Sequence, residues 1–400
     1  MKQLNGSYLS IGAGENQIPL IRAAKGRGLK VIAVDTNPMA PGLNESDIKI
    51  LESTHEYRKI LHAMSKVPLP YKLLGVGSRS YGKAVYTVSY LAEKLKLRGN
   101  PRDSTNLFLD KEKFKLVVSK YGIPVPKSIP NLGTNKTKDK KPELLFPIIA
   151  KPKEGSGKKG ISVLESEVEY KKFTKSRIHE SFLLETYTPG DEVTVLGFVI
   201  NKRFYIISLT DKITTGLPNF IEVAHIAPSE HISMAGELKM ICQSIVTASK
   251  LKTGPFVAEF KITKNKECIL IEAAPEVGGE FIADQLLPAH YGYDYFKDLL
   301  SVTIGEKTRP EFLKTSKKGT IHSAILFTLP TTKQKKMAEL SPFVPNVYET
   351  VFFQKQLIPN GTPLESFEGN HKRTGVTGIS TKQFISAKDW YSSLLDRLDL

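Results

Sequence analysis

The amino-acid sequence predicts an α/β protein (α+β overall) that begins with a Rossmann-like domain and ends in a small β-rich segment. Three observations support this fold class. Residues 7–35 read as strand, glycine turn, helix and strand. Residues 146–164 read as strand, glycine-rich loop and strand. Two further strand pairs follow at 191–212 and 255–275.

The first domain is predicted over residues 1–100. Its first apolar run ends at Gly12 and Gly14, and a helical pattern follows. The run KVIAVD, which ends at Asp35, is typical of a parallel strand that is buried on both faces. Further short apolar runs and the amphipathic stretch YGKAVYTVSYLAEKLKL continue the alternation of predicted strands and helices. We therefore predict a doubly wound sheet.

The glycine turn of this domain is a weak signal for a dinucleotide. It reads GAGENQ, with Gln17 where the third glycine of G-x-G-x-x-G would stand. We interpret it as a tight turn that binds no nucleotide.

The composition is that of an ordinary globular protein with a basic surface. The 400 residues carry a net charge of +16, with lysines spread along the chain. This charge attracts polyanions, either nucleic acids or phosphorylated metabolites, but it is also typical of a solvated, lysine-rich surface. The sequence contains no basic stripe with interleaved aromatic residues, so we expect no nucleic-acid partner.

The sequence predicts neither a membrane segment nor a signal peptide. Its apolar runs fall short of the roughly 18 residues that a membrane span needs. The N-terminal apolar run is broken at Asn5, Gly6 and Ser7. Cys242 and Cys268 are too few and too far apart for a disulfide scaffold or a zinc site. We expect a cytoplasmic protein with no membrane partner.

A first candidate site lies in the stretch KPKEGSGKKG. Gly155, Gly157 and Gly160, with Ser156 among them, allow the backbone to approach an anion and point N–H groups at it. Lys151 ends the preceding strand, where its ammonium can reach a phosphate. A P-loop is excluded because it opens a helix and has another spacing. The alternative is a flexible hairpin tip.

A second candidate site lies in the stretch FLLETYTPGDEVTV. Glu185 ends an apolar run and Glu192 follows seven residues later. The backbone of Glu185, Thr186, Tyr187 and Thr188 can read an adenine through its N–H and C=O groups. The two acids can bind ribose hydroxyls or an exocyclic amine. The alternative is two exposed acids beside a turn.

The third candidate site is a pair of acids. Glu259 and Glu272 lie in two consecutive predicted strands joined by the turn KNKE. If these strands pair, the carboxylates converge, and two close negative charges need a cation between them. Mg²⁺ suits such oxygen ligands, because it is commonly held by one or two carboxylates together with substrate phosphates.

The order of these motifs resembles the ATP-grasp superfamily, in the branch that includes biotin carboxylase, the formate-using glycinamide ribonucleotide transformylase and the L-amino-acid ligases. The resemblance covers nearly the whole chain. It depends on six residues in order: Lys111, Lys151 with its glycine loop, Glu185, Glu192, Glu259 and Glu272.

The resemblance implies a domain plan and a role for each motif. The plan is an N-terminal domain at 1–100, a lid subdomain at 101–190, a metal and nucleotide subdomain at 191–310, and a closing segment at 311–400. The roles are ATP phosphate binding by Lys111 and Lys151, a lid at 155–160, an adenine pocket at 185–188, ribose binding by Glu192, and Mg²⁺ binding by Glu259 and Glu272.

The reaction that the resemblance implies transfers the γ-phosphate of ATP to a carboxylate, and an amine then attacks the acylphosphate. The substrates would be a small-molecule carboxylate and an amine. Family members are often dimers, so we expect a homodimer. Two alternatives remain: a carboxylase or formate-using enzyme that acts on a phosphorylated purine-type precursor, and a non-catalytic nucleotide-binding regulator.

The sequence departs from the family at the metal strand, which usually reads Glu-x-Asn-x-Arg. Ala274 replaces the asparagine and Glu276 replaces the arginine. Three interpretations remain open. Glu276 supplies a missing metal ligand, or it binds a cationic group such as the attacking amine, or the site binds nucleotide without turnover.

Substrate-binding residues are harder to predict. Arg79 follows a strand at the carboxyl edge of the first sheet, and its guanidinium suits an anion, although a surface arginine is an equal alternative. Glu222 and His225 lie in a segment that resembles the family's acceptor site, although a lone histidine is often structural. We expect Arg203 to face solvent, and Arg373 is a candidate to reach inward from the last domain.

Overall fold

Three β-sheets with flanking helices make up the protein. The computed structural model describes residues 3–67, 71–129, 144–155, 159–177, 181–317, 319–330, 343–363 and 369–398. None of the helices in these ranges is long and apolar enough to cross a membrane. The mixture of parallel and antiparallel sheets confirms the predicted α/β (α+β) fold class.

The first sheet has four parallel strands in the order β3-β2-β1-β4. Its β2 strand is buried over four of its five residues, as the apolar run KVIAVD predicts. The elements are β1 (Ser7–Ile11), α1 (Ile18–Gly26), β2 (Lys30–Val34), α2 (Pro41–Glu45), β3 (Ile48–Ile50), α3 (Tyr57–Lys66), β4 (Leu73–Gly77) and α4 (Lys83–Lys94).

The second sheet is small and antiparallel, with the order β5-β8-β6-β7. The helix before it begins behind Asp110, whose carboxylate accepts hydrogen bonds from the N–H groups of Glu112 and Lys113 at 3.1 Å each. The elements are α5 (Arg102–Leu107), α6 (Lys111–Ser119), β5 (Ser128–Ile129), β6 (Ile148–Pro152), β7 (Ser162–Leu164), α7 (Glu167–Ser176) and β8 (Phe182–Thr186).

The third sheet has eight antiparallel strands in the order β13-β12-β9-β10-β11-β14-β16-β15. Asn201 and Lys202 join β9 to β10 with φ angles of 50° and 68°, the left-handed pair that tight hairpin turns favour. The elements are β9 (Asp191–Ile200), β10 (Arg203–Thr214), β11 (Glu222–Ala227), α8 (Ala235–Ser249), β12 (Gly254–Ile262), β13 (Cys268–Ala274), α9 (Leu287–Tyr291), α10 (Tyr295–Ile304), β14 (His322–Thr328), β15 (Glu349–Gln356), β16 (Gly375–Thr381) and α11 (Ala387–Leu398).

The predicted closing segment does not form a sheet of its own. Its strand β14 pairs with β11, so β14, β15 and β16 extend the same sheet that carries β12 and β13. The residues of the last domain are thereby held in fixed register to the metal strand. The boundaries proposed at residues 100, 190 and 310 stay predictions.

One apolar core joins the first domain to the large sheet. Leu20 of α1, Leu300 of α10 and Phe198 of β9 are all fully buried in the same cluster. The Tyr8 hydroxyl and the Thr303 hydroxyl lie 3.1 Å apart across this contact. Burial of large apolar side chains at such a contact stabilises it by about 1.5–3 kcal/mol each. The contact therefore holds the first domain against the large sheet.

Candidate active site

A cavity of about 460 Å³ lies where the three sheets meet. Loops and strand ends from all of the predicted domains contribute to it. The ionisable residues that line it are Lys111, Lys151, Glu154, Lys159, Lys212, Glu222, Glu259, Glu272, Glu276, Glu280, His371 and Arg373. The sequence thus places its predicted lysines and acid pair together in one space.

Lys111 begins helix α6 and faces the metal strand. Its N–H donates to the carbonyl of Lys153 at 3.1 Å, which fixes the start of the helix against the end of β6. Its Nζ donates to the carbonyl oxygen of Gly155 and lies 4.0 Å from Oε1 of Glu272. The ammonium therefore stands between the glycine loop and a predicted metal ligand.

Glu185 is paired with two lysines. Its carboxylate is 1% exposed and forms an ion pair with Lys115, while the Nζ of Lys151 lies 2.7 Å from its Oε2. Burial would raise the pKa of Glu185, but the charges of Lys151 and Lys115 lower it below its usual value. Glu185 also lines the smaller cavity with residues 186–188, and its part in nucleoside binding stays a prediction.

The glycine loop is only partly described. Gly155 and Gly160 have φ angles of 103° and 72°, which side-chain-bearing residues rarely adopt. Ser156 and Gly157 lie outside the described residues. The proposed contact of this loop with phosphates stays a prediction.

A smaller apolar cavity, of about 60 Å³, adjoins the main one at Lys151. Thr186, Tyr187 and Thr188 line it, together with Phe220, whose ring centroid lies 6.0 Å from that of Tyr187. The N–H groups of Thr186 and Tyr187 already donate to the carbonyls of Lys127 and Pro147 at 3.0 Å. These two N–H groups are therefore not available to donate a hydrogen bond to a ligand in this cavity. A ligand there would instead bind backbone carbonyl groups or other N–H groups.

A row of ionisable side chains crosses four neighbouring strands of the large sheet. Lys261 of β12, Glu192 of β9, Lys212 of β10 and His225 of β11 are successive cross-strand partners. Lys261 Nζ lies 3.2 Å from Oε1 of Glu192. Cross-strand pairs of opposite charge stabilise a sheet, so Glu192 is engaged with a lysine as well as facing the smaller cavity.

Glu259 and Glu272 are directly opposite each other on β12 and β13. The pairing that starts at the KNKE turn runs from Ile262–Cys268 to Phe260–Leu270, and a register shift between Phe260 and Glu259 then brings Glu259 opposite Glu272. Oε1 of Glu259 lies 2.5 Å from the Nζ of Lys212. Among the described residues, no group of three or more His, Cys, Asp and Glu side chains could hold a metal ion. Two carboxylates fit Mg²⁺, which fills its other positions with phosphate oxygens and water.

Lys212 is the centre of a buried network that the sequence analysis missed. Its side chain is 2% exposed, and its Nζ also lies 3.5 Å from Oε2 of Glu222. Burial would lower the pKa of Lys212, but Glu259 and Glu222 raise it above its usual value. The lysine is therefore a permanent cation beside the acid pair.

His225 stands behind this network and not in the cavity. Its Nε2 lies 2.8 Å from Oε1 of Glu222, and the histidine is 1% exposed. Burial would raise the pKa of Glu222, but His225, Lys212 and Arg373 bring it well below its usual range. His225 thus acts on the site through Glu222, which itself lines the cavity.

Glu276 lies past the end of β13 and lines the cavity with Glu272 and Ala274. Burial together with the charges of Glu272 and Glu259 raises the pKa of Glu276 to about 8, against an opposing effect of the Gly82 N–H and Lys111. The backbone N–H of Gly82 thus faces this carboxyl group from the first domain. The geometry does not decide between the metal and the amine as its partner.

A second cavity, of about 690 Å³, lies between the first domain and the closing segment. Glu280, Asn370, His371 and Arg373 line both cavities and so connect them. Arg373 is 5% exposed, pairs with Glu280, and lies with its Nη1 3.6 Å from Oε1 of Glu222. Within the described residues its buried Nη1 has no hydrogen-bond partner. Arg373 therefore reaches inward from the last domain.

Gln17, at the third-glycine position, ties the glycine turn to the loop after β4. Its side chain donates to the Ser80 hydroxyl at 3.1 Å and accepts from the Arg79 N–H at 2.7 Å. A Cβ at Gly12 would lie only 3.1 Å from this side chain. Gly12, Gly14 and Gln17 line the second cavity, and the interpretation that this turn binds no nucleotide stays a prediction.

Arg79 lies apart from both large cavities. Its Nη2 lies 2.5 Å from Oδ1 of Asp284, and its guanidinium is 5.7 Å from the ring centroid of Phe296. The residue is 8% exposed. The guanidinium is therefore committed to an internal ion pair, and we leave Arg79 out of the proposed substrate site. Arg203, at the start of β10, is exposed as expected.

Three residues of the site were not predicted from the sequence, although each had a weak signal there: Lys115, Lys212 and Glu280. Lys115 stands four residues after Lys111, on the same face of α6. Lys212 follows a long apolar stretch in β10, where an unpaired lysine would be costly. Glu280 follows Gly278 and Gly279, in the loop after β13. The local pattern does not identify Glu185, Glu259 and Arg373 as partners of these residues, because each lies more than 45 residues away from its partner in the chain.

Comparisons with known proteins agree with this architecture. Residues 144–284 match the ATP-grasp domain family. No curated protein sequence shows significant similarity to the chain. L-amino acid ligase from Bacillus licheniformis is similar in structure at 17% identity, with a TM-score of 0.76 over 99% of this chain and 98% of that one.

Two further solved structures share the fold. Phosphoribosylglycinamide synthetase from Anaerococcus prevotii is 18% identical, with a TM-score of 0.72 over 98% of both chains. The biotin carboxylase domain dimer of the Hydrogenobacter thermophilus 2-oxoglutarate carboxylase, in complex with MgADP, ADP and bicarbonate, is 15% identical, with a TM-score of 0.70 over 98% of this chain and 90% of that one. Residues 144–284 thus match the ATP-grasp domain family, and the predicted resemblance of this chain to the ATP-grasp superfamily is confirmed.

Proposed function

We propose that this protein is an ATP- and Mg²⁺-dependent ligase that activates a small carboxylate as an acylphosphate and joins it to an amine. The observation that carries the proposal is one cavity that holds Lys111 and Lys151 opposite Glu259 and Glu272. Cations that neutralise phosphates, beside carboxylates that suit Mg²⁺, are the parts that phosphoryl transfer needs.

The residues fit ATP and Mg²⁺ by the chemistry of their donors. Lys111 and Lys151 would hold phosphate oxygens, and Glu259 and Glu272 would hold the metal. When bound, Mg²⁺ neutralises charge on the transferring phosphoryl group. Lys212 holds Glu259 in place, because its buried ammonium lies 2.5 Å from that carboxylate.

Arg373 is the proposed grip for the carboxylate substrate. The family position for an arginine is occupied by Glu276, but Arg373 brings a guanidinium to the same cavity from the closing segment. Its buried Nη1 lies 3.6 Å from Glu222 but makes no hydrogen bond within the described residues, so it can donate one to an anion. Because it lines both cavities, a carboxylate bound there can reach the phosphates from the second cavity.

Glu280 and Glu276 are the proposed partners of the amine. Both line the main cavity, and Glu280 is half-exposed where the two cavities join. An attacking amine must arrive near the acylphosphate and lose a proton as the C–N bond forms. A carboxylate at the junction can orient the ammonium form and accept that proton, and release of phosphate from the acylphosphate completes the ligation.

The size of the second cavity is compatible with the carboxylase or formate-using alternative. A space of about 690 Å³ beside the glycine turn, lined by Lys355, His55 and His371, is large enough for a phosphorylated substrate. This supports the carboxylase or formate-using alternative on a purine-type precursor. A regulator that binds nucleotide without turnover is the remaining alternative, and the homodimer and the cytoplasmic location stay predictions.

Phosphate release tests the proposal. Purified protein with ATP and Mg²⁺ is offered a matrix of amino acids and small carboxylic acids paired with amines, with bicarbonate and formate as further wells. We expect phosphate release that requires one acid and one amine, and a coupled product by mass spectrometry. Glu272→Gln should reduce turnover at least about 100-fold, because it removes charge from the metal pair, whereas the surface variant Arg203→Lys should not.

The outcomes separate the candidates. Stimulation by bicarbonate or formate with a phosphorylated amine would favour the carboxylase alternative. Nucleotide binding without stimulation by any pair would leave the regulator and contradict the ligase.

A further inference from the structure

We propose that Lys115 is a positioning residue that keeps the Lys151 ammonium available to nucleotide phosphates by sharing the charge of Glu185. The inference rests on the proposed ATP-dependent function. It gives a role to a buried cation that no sequence motif marked.

Three side chains form the unit behind the proposal, which we call the lysine–glutamate triad: Lys115 of α6, Lys151 of β6 and Glu185 of β8. The side chain of Lys115 is 5% exposed and that of Glu185 is 1% exposed, and the two form an ion pair. The side chain of Lys151 is 17% exposed and lies 2.7 Å from the other oxygen of Glu185. One carboxylate therefore bridges two ammonium groups.

The two lysines have different access to the cavities. Lys151 lines both the main cavity and the smaller apolar one. Lys115 is not among the described lining residues of either. Only Lys151 can therefore meet a ligand, and Lys115 faces inward, where its one strong partner is Glu185.

The charges explain why a second lysine is needed. A buried carboxylate with one cation holds that cation strongly, because an unpaired charge in the interior is costly. If Lys151 were the sole partner of Glu185, a phosphate would have to compete with Glu185 for it. With Lys115 present the triad carries a net charge of +1, and the surplus is exposed only at Lys151. Burial and the charge of Lys151 also lower the pKa of Lys115 to about 8, in keeping with its place among other cations.

The position of Glu185 in the sheet makes this arrangement rigid. Glu185 pairs with Ile149 of β6, two residues before Lys151, and with Ser128 of β5 on its other side. Phe114 and Val118, which flank Lys115 on α6, are buried in the core. The three charged groups are thus fixed by two sheet ladders and a packed helix, so a change at Lys115 acts on Lys151 through Glu185.

Calorimetric titration of MgADP into the full-length protein tests the inference without requiring turnover. Lys115→Met should weaken MgADP binding at least about tenfold, since Lys151 is then held by Glu185. Lys115→Arg should restore binding to within about threefold, because the cation returns. Lys120→Met, which removes an exposed lysine at the end of the same helix, is the matched control and should bind as the wild type does.

The double variant Lys115→Met with Glu185→Gln distinguishes two roles of Lys115: positioning Lys151 through Glu185, or only stabilising the fold. Removing the carboxylate releases Lys151, so this variant should bind MgADP as tightly as Glu185→Gln alone. The double variant and Glu185→Gln can be compared with each other even if Lys115→Met alone does not fold. Equal binding by wild type and Lys115→Met, or a double variant as weak as Lys115→Met, would overturn the inference. Absence of MgADP binding in the wild type would instead overturn the proposed function.

Discussion

At position 276 this chain carries a carboxyl group where the ATP-grasp pattern has an arginine, so the residue next to the metal pair no longer brings a positive charge. Glu276 lines the cavity with Glu272 and is faced by the N–H of Gly82. This chain lacks that guanidinium at position 276, but Arg373 brings a guanidinium to the same cavity. The exchange leaves an acid free to meet a positively charged group, which is why we favour the amine as the partner of Glu276.

Replacing Glu276 tests this assignment. Glu276→Arg should change which amines are accepted, with the preferred amine losing about tenfold or more in kcat/KM, since an ammonium would meet a like charge. The Mg²⁺ concentration for half-maximal turnover should change little. Kinetics over the amine panel and a Mg²⁺ titration measure the two effects, with Glu276→Gln as a control of similar size. A raised Mg²⁺ requirement with an unchanged amine profile would assign Glu276 to the metal instead.

At the scale of elements, the sequence predicted what local pattern determines. The β12–β13 hairpin follows from two apolar runs around KNKE, and its register brings Glu259 opposite Glu272. The start of α6 follows from the capping residue Asp110. The partners of Lys115 and Lys212 could not be read in this way, because they depend on strand order in the sheets, which local pattern does not encode.

The ion pairs of two candidate residues could not be read from the sequence for the same reason. Arg79 was a candidate for an anion because it follows a strand at the carboxyl edge of the first sheet, and the partner that the structure gives it, Asp284, is 205 residues away. Glu185 was a candidate for the nucleoside at the end of an apolar run, and its carboxylate pairs with two lysines from other elements. Side chains of these types bind the nearest opposite charge that the tertiary fold provides.

Helix α9 carries a histidine that should make the fold sensitive to acid. His290 is 1% exposed, and its Nδ1 lies 3.0 Å from the Ser323 hydroxyl of β14. Burial, with a contribution from His322, lowers the pKa of His290 to about 4. The unfolded chain therefore binds a proton between about pH 6.5 and 4 that the folded chain does not, and stability falls as the pH falls through this window.

Urea unfolding at pH 7.5 and pH 4.5 measures this effect. The wild type should lose about 2–3 kcal/mol of unfolding free energy from His290 alone between these values. His290→Gln should show a smaller loss by about that amount, because it has no group to titrate there. Exposed His55 serves as the control position, and His55→Gln should follow the wild type. Equal losses in His290→Gln and wild type would show that His290 is not held in its neutral form.

At the scale of the whole molecule, the site exists because the closing segment returns to the sheet that bears the metal pair. Strand β14 pairs with β11, and β16 pairs with β14, so Arg373 comes just before a strand in the same sheet as Glu222 and Glu259. The first domain completes the second cavity from the opposite side, and Lys355 of β15 lies 2.5 Å from Glu15 of that domain. Substrate access and chemistry are thus shared among distant parts of the chain.

Arg373 is the residue through which this arrangement can be tested. Its Nε donates to the carbonyl of Asn370 at 2.8 Å, and its guanidinium stacks 4.0 Å from the ring centroid of Phe327. Lysine keeps the charge but has neither the planar fork nor the stacking. Arg373→Lys should therefore fold and bind MgADP like the wild type, yet lose about 10–100-fold in kcat/KM for the carboxylate substrate, as the loss of a charge-assisted hydrogen bond predicts. The exposed Arg203→Lys is the matched control. If Arg373→Lys weakened MgADP binding and left the kinetic constants for the acid unchanged, Arg373 would bind the nucleotide and not the carboxylate substrate. The place where the two cavities join would then be assigned to the nucleotide.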